Sequence, residues 1–268
     1  MDAVRGLLGE RRVGHAGTLD PSASGLLVVV VGRATRLAQY VSVLPKRYTA
    51  TLRLGAATET DDAAGKVTAT DDSWRTLEEA EVRRALAEVA ARPEQVPPAV
   101  SAKKVAGERA YRLARQGRPA ELKAAAVRVH RIEVRRVALP DVTFTMECSS
   151  GTYVRAIARD AGRALGTLAH LCALRRDGIG PWSVAEAVTL AEQTGRSLAD
   201  ALRPMRELVA HLPSITVGPE LAARIEHGAK FEAEGPREGP VAVLADGDLL
   251  AMAQFRDGVY APSVVLVA

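Results

Sequence analysis

The chain has 268 residues, is 47% hydrophobic and 25% charged, carries a formal net charge of +4, and contains two cysteines. These are ordinary globular values for one or two domains, and two is the working count; they exclude a disordered chain, and the two cysteines exclude a disulfide framework or a Cys/His zinc cluster. The longest strongly apolar run, residues 26–31, is far short of the roughly 20 residues a bilayer-spanning helix needs, and no charged-then-apolar leader opens the sequence, so a cytosolic protein is expected.

In chain order, residues 2–12 read as an amphipathic helix with Val4, Leu7 and Leu8 on one face. Residues 26–31 are β-branched and flanked by Gly25 and Gly32, which predicts a buried central strand, followed by a short helix through Leu37 and Tyr40. Residues 48–54 alternate as a strand, and residues 55–65, with Glu59, Asp61 and Asp62, read as a turn-rich loop. Thr76 and Glu79 have capping-box spacing before a helix over residues 80–90. Pro93, Pro97 and Pro98 break the chain, and residues 107–117 predict a basic helix. Residues 127–137 and 142–148 are strands turning through Pro140 and Asp141, and residues 152–165 are a helix ending at Gly166. Pro204 and Pro213 mark the expected boundary between a domain of residues 1–212 and a small β-rich module of residues 213–268. Cys148 and Cys172 are both expected to be buried thiols.

Positive charge is concentrated: residues 101–136 hold eleven Lys or Arg against three Glu, so the rest of the chain is acidic on balance. Such a stretch fits a polyanion partner, because neutralising phosphates releases counterions, and it fits a solvated helix-and-strand face equally well.

The segment Gly14-His15-Ala16-Gly17-Thr18-Leu19-Asp20-Pro21 is the first with chemical potential. Its glycines permit tight backbone geometry and Pro21 biases Asp20 toward an extended conformation, so a carboxylate is held on a stiffened loop. It could act as base, nucleophile or metal ligand. An Asx-type turn explains an isolated Asp-Pro too, and on this feature alone the structural reading is preferred.

The longer string GHAGTLDPSASGLLVVVVGRATRLAQYV resembles the signature of the bacterial tRNA pseudouridine synthases that modify the T-loop uridine at tRNA position 55. Three further blocks are similar to that family in the same order: KRY at residues 46–48 with the downstream LGAATETDDAAG, PPAVSAKKVAGERAYRLARQG, and CSSGTYVRAIARDAGRALGTLAHLCALRR. Four ordered blocks across residues 11–180 are far less prone to chance than one short motif. Residues from about 215 resemble, more loosely, the small RNA-binding barrel known as a PUA module.

The resemblance implies a mixed α/β fold with a mainly antiparallel sheet, and an isomerase that needs no metal or cofactor. It implies Asp20 as nucleophile, with Arg155 against it holding it ionised, and Tyr48 stacking on the target base and assisting proton removal from C5. Taken as bare residues, Arg155 would more often be a helix-surface arginine and Tyr48 ordinary strand packing. The resemblance further implies that Leu174 lines the pocket and that His15 helps extrude the uridine, since acting on a stacked base requires unstacking it. Lys103, Lys104, Arg109, Arg112 and Arg115 would contact the T-arm backbone. A tRNA substrate, no membrane and a monomer without obligate protein partner complete the expectation. Family members usually begin with a strand carrying Lys-Pro-x-Gly-x-Thr-Ser before the helix that starts here at Asp2; the expected explanation is a natural start upstream, because losing that strand would expose a sheet edge.

Overall fold

The computed structural model describes residues 1–101, 104–105, 108–109, 112 and 122–266, with Lys104, Val105 and Arg109 described for backbone alone. The chain forms two compact units, one of Met1–Thr18, Leu27–Ser42 and Val188–Ala268, the other of Leu19–Leu26 and Val43–Ala187.

The second unit is built on a six-stranded sheet. Strands Val129–Ala138, Asp141–Cys148, Lys46–Leu54, Ala169–Ile179 and Trp182–Ser183 run antiparallel in that spatial order, and the short Ser24–Gly25 strand joins Ala169–Ile179 in parallel. Alternation sorts the sheet into two faces: Ala50, Leu52, Leu54, Val142, Phe144 and Met146 are buried on one. Helices Glu79–Ala90 and Val154–Ala164 cover that face with Val82, Leu86, Val89, Val154, Ile157 and Ala161. Each fully buried aliphatic side chain contributes about 1.5–3 kcal/mol, so this layer supplies most of what holds the unit together. Gly162 lets the second helix lie close to the sheet, since a Cβ there would stand 2.6 Å from the Ala169 Cβ. The mixed, mainly antiparallel fold is as expected.

The other unit contains a four-stranded sheet ordered Ser214–Thr216, Pro240–Ala245, Asp248–Arg256 and Val259–Val265, the first pair parallel and the rest antiparallel. Val241, Val243, Ala251 and Ala253 pack on one side with Ile225, Phe231 and Tyr260; the Phe231 and Tyr260 rings stack with centroids 5.4 Å apart. Ala242, Met252 and Val264 pack on the other side with Leu37 and Val209. No closed barrel forms among the described residues.

Several local expectations are corrected. Residues 26–31 do not make a central strand: Val29–Val31 pairs with Val13–His15 in a two-stranded sheet, and Leu26 ends the short pairing with Arg176. A β-branched run fixes strand propensity but not the partner, and Gly25, at φ 101°, turns the chain out of the larger sheet. The first helix stops at Leu8, with Gly9 left-handed after it. At the Glu79–Ala90 helix the cap lies two residues beyond Thr76: the Glu78 N–H donates to Glu81 Oε2 at 2.8 Å, and Thr76 closes a preceding 3-10 turn. Cys148 is buried, whereas Cys172 is partly exposed. Most of the predicted basic helix over residues 107–117 lies outside the described residues.

Candidate active site

Asp20 lies on the loop of residues 19–26, between a turn and an anchored end. The turn is closed by Ala23 N–H donating to Asp20 O at 2.9 Å. The anchor is reciprocal: Leu26 N–H donates to Arg176 O, and Arg176 Nε to Leu26 O, both at 2.8 Å. Gly25 is required there, because a Cβ would fall 2.3 Å from the Arg176 carbonyl oxygen. Gly25, expected only as the flank of a strand, thus permits the close approach that anchors the end of the loop to Arg176.

Arg155 enters from the first turn of helix Val154–Ala164. Gln95 fixes that end of the helix from across the fold, donating from Nε2 to Tyr153 O at 3.0 Å and accepting from Tyr153 N–H at 2.8 Å. The Arg155 guanidinium grips Asp20 with both prongs, Nε to Oδ2 at 2.8 Å and Nη2 to Oδ1 at 3.0 Å. Its Nη1 donates to Thr60 O at 2.8 Å and Val100 O at 3.1 Å. A second carboxylate, Asp62 Oδ2, lies 3.7 Å from Nε. The Arg155 side chain is 6% exposed, Asp62 7% and Asp20 29%, so the arginine is sequestered while the Asp20 carboxylate remains approachable.

Asp62 is held in place independently: its Oδ1 accepts from Thr60 Oγ1 at 2.6 Å and Ala64 N–H at 3.0 Å. The same turn is stapled to the central sheet, with Leu171 N–H donating to Asp61 O and Ala63 N–H to Leu171 O, both at 2.9 Å. The pairing falls at a register shift between Leu171 and Ala173, where the bulge frees strand groups to reach the turn.

Tyr48 lies on strand Lys46–Leu54, opposite Met146 on one neighbour and Arg176 on the other. Burial, reinforced by Cys148 and Asp20, pushes its hydroxyl above the usual phenol range, against the pull of the hydrogen-bonded Arg176 side chain. Near neutral pH it is a neutral phenol. Lys46, one turn of the pleat away, is also buried; burial and the charge of Arg176 lower its ammonium to about 8. Leu174 is half-buried on the same strand as Arg176, opposite Ala50.

Asp20, Tyr48, Arg155 and Leu174 therefore all belong to one unit. His15 belongs to the other, exposed at the end of its two-stranded sheet. Arg112 is exposed; Lys103 and Arg115 lie outside the described residues, as do the side chains of Lys104 and Arg109. Thr60, Gln95 and Arg176 were not singled out from the sequence, and Asp62 was read only as part of a turn-rich loop. Among the described residues no three His, Cys, Asp or Glu side chains converge as a metal site, and no helix is long and apolar enough to cross a membrane.

Residues 5–154 match the model of the TruB family pseudouridylate synthase (N terminal domain). The chain is 46% identical to tRNA pseudouridine synthase B of Thermobifida fusca (strain YX), over 98% of this chain and 91% of that protein. It is 44% identical to the protein of that name from Arthrobacter sp. (strain FB24), over 99% and 90%, and 41% identical to that of Burkholderia mallei (strain NCTC 10247), over 96% and 88%. In fold it resembles a chain of a Cbf5-Nop10-Gar1 complex, with a TM-score of 0.73 at 24% identity over 99% of this chain and 78% of that one. It likewise resembles a chain of an H/ACA RNP bound to a substrate RNA containing 2′-deoxyuridine, with a TM-score of 0.71 at 22% identity over 99% and 79%. With more than half of its length matched by the family model and near-complete alignment to relatives above 40% identity, the chain belongs to the TruB family of pseudouridylate synthases.

Proposed function

We propose that the chain isomerises uridine to pseudouridine in the T loop of tRNA, at position 55, with Asp20 as the reacting carboxylate and no cofactor. The reaction breaks the bond from C1′ to N1, turns the base, forms a bond from C1′ to C5, and moves one proton from C5 to N1; it is redox-neutral. Asp20 can serve by attack at C1′, by attack at C6, or by taking the C2′ proton. Each route needs a charged carboxylate with a lone pair open to the substrate. The observation that carries this reading is the two-pronged Arg155–Asp20 pair, which fixes the carboxylate while leaving it partly exposed. The names of the relatives supply the substrate class.

In this reading Tyr48 and Leu174 flank the flipped base. A neutral phenol stacks without having to lose a proton first, which favours stacking over base catalysis for Tyr48. His15 contacts the T loop during extrusion, and Lys103, Lys104, Arg109 and Arg112 contact the T-arm backbone, so binding weakens with salt. Residues 1–212 form the catalytic domain and residues 213–268 a PUA-like RNA-binding domain. The enzyme works as a monomer in the cytoplasm without an obligate protein partner.

The test is tritium release from unmodified tRNA transcript labelled at uridine C5. Release by this chain that disappears in Asp20→Asn, with tRNA affinity within a few-fold, supports the assignment. Near-normal turnover by Asp20→Asn refutes it.

A further inference from the structure

Arg155 is gripped from two loops at once: Thr60 O belongs to the turn that carries Asp61 and Asp62, and Val100 O to the segment that follows the Pro97-Pro98 pair. One helical turn further along the same helix, Arg159 grips the same two loops. Its Nη1 donates to Asp61 Oδ2 at 3.0 Å, and its Nη2 to Val96 O at 2.8 Å. Its Nε is occupied by Asp160 Oδ1 at 2.9 Å, which orients the guanidinium toward the loops. Residues at i and i+4 share a helix face, so the two arginines form parallel rungs between one helix and one pair of loops.

We propose that Arg159 is a positioning residue for the isomerisation: through Asp61 and the Val96 carbonyl it fixes the two loops whose carbonyls hold Arg155 against Asp20. The inference rests on the functional reading above. Three observations point beyond a surface ion pair. The Arg159 and Asp61 side chains are only 13% and 19% exposed, so the pair is largely shielded from solvent. Asp61 holds a left-handed backbone, φ 58°, which a non-glycine residue adopts at some strain and which its neighbours must therefore enforce. The strained residue sits directly between Thr60, whose carbonyl Arg155 uses, and Asp62, whose carboxylate lies beside Arg155. A turn that relaxed at Asp61 would move both. Arg155 and Arg163 also act on the Asp61 carboxyl, but its hydrogen-bonded cation is Arg159.

The experiment compares Arg159→Gln, Arg159→Lys, Asp61→Asn and the Arg159→Gln/Asp61→Asn double variant with the parent chain. Single-turnover pseudouridine formation is measured at saturating enzyme, tRNA affinity by filter binding, and the Arg155 Nε–H resonance in ¹⁵N-labelled protein. Misplacing a reacting group by about 1 Å lowers rates by up to about 100-fold, so Arg159→Gln is expected to lose roughly 10- to 100-fold in rate with affinity changed less than about threefold. Arg159→Lys, which retains a charge for Asp61, is expected to recover part of the loss. The double variant is expected to be no slower than the slower single variant, as for residues acting as a unit. The Arg155 Nε–H resonance is expected to shift or broaden in Arg159→Gln. An Arg159→Gln rate within about twofold of the parent, or a loss equal to the drop in folded fraction, overturns the proposal. An unmoved Arg155 resonance overturns it even if the parent forms no pseudouridine, in which case the functional reading fails separately.

Discussion

Replacing Arg155 by lysine keeps the positive charge and removes the fork. The guanidinium donates four hydrogen bonds, at 2.8 and 3.0 Å to the two oxygens of Asp20 and at 2.8 and 3.1 Å to the carbonyls of Thr60 and Val100. A lysine ammonium presents three donors from a single nitrogen and cannot lie flat against a carboxylate while reaching two carbonyls behind it. By donor count at least one of the four bonds is lost, and a single nitrogen placed to reach one Asp20 oxygen and one loop carbonyl is expected to give up the second Asp20 bond and the other carbonyl. A hydrogen bond to a charged group is worth about 1.5–3 kcal/mol, and if the Asp20 bond acts in the transition state, its loss slows the reaction roughly 10- to 150-fold. The loop carbonyl left unsatisfied costs about 1–3 kcal/mol of stability, a drop of about 2–4 °C in melting temperature for each kcal/mol in a unit of this size. Single-turnover tritium release at saturating enzyme measures the first effect and thermal melting the second, with filter binding showing that tRNA affinity is kept. An Arg155→Lys enzyme that stays folded and turns over within threefold of the parent would refute the claim that the fork, rather than the charge alone, positions Asp20.

Two further predictions concern groups beside Tyr48. Lys46 is lowered from 10.5 to about 8 by burial and then by Arg176, so between about pH 8 and 10.5 the unfolded chain binds a proton that the folded chain lacks. By linkage, stability from this group rises with pH across that window and the penalty is fully present below it. The melting temperature of the parent minus that of Lys46→Met is therefore expected to rise from about pH 8 to 10.5, and a flat difference would refute the assignment. Burial pushes the Cys148 thiol up to about 11, while Cys172 is partly exposed. Iodoacetamide on native protein is expected to label Cys172 first and Cys148 only on unfolding; equal labelling in peptide mapping would refute it.

The proposed site residues Asp20, Tyr48 and Arg155 were legible only through the resemblance, because each sits inside a contiguous block similar to the family, while as bare residues each had an ordinary structural reading. Their supports were not legible. Asp61 and Asp62 stand in a polar, glycine-bounded stretch that reads as a solvated turn, and only the bulge at Leu171 folds that turn onto the sheet. Gln95 lies among prolines, and its role as a cap for a helix starting 59 residues later depends on tertiary contact alone. The same reason accounts for residues 26–31. Propensity marked them as strand, but which strand they meet is decided by the turn at Gly25 and by Arg176, which lies 150 residues away.

Under the proposed reaction, the placement of Arg155 gives the second carboxylate of the site a role. A cation in the first turn of a helix opposes the macrodipole, a penalty of about 0.3–1 kcal/mol even at the surface, and here the side chain is 6% exposed. A buried cation needs charge and hydrogen-bond compensation, and Asp20 alone would then be both counter-ion and reactant. Once Asp20 engages the substrate, its ability to balance Arg155 falls. Asp62, 7% exposed and fixed by Thr60 and Ala64, stays beside Arg155 with an oxygen 3.7 Å from Nε. Arg155 can then keep its position while the charge on Asp20 changes, and the two loop carbonyls keep its plane. In the proposed reaction the helix supplies direction, the loops supply geometry and Asp62 a second acidic partner for Arg155, which leaves the Asp20 carboxylate free to do chemistry.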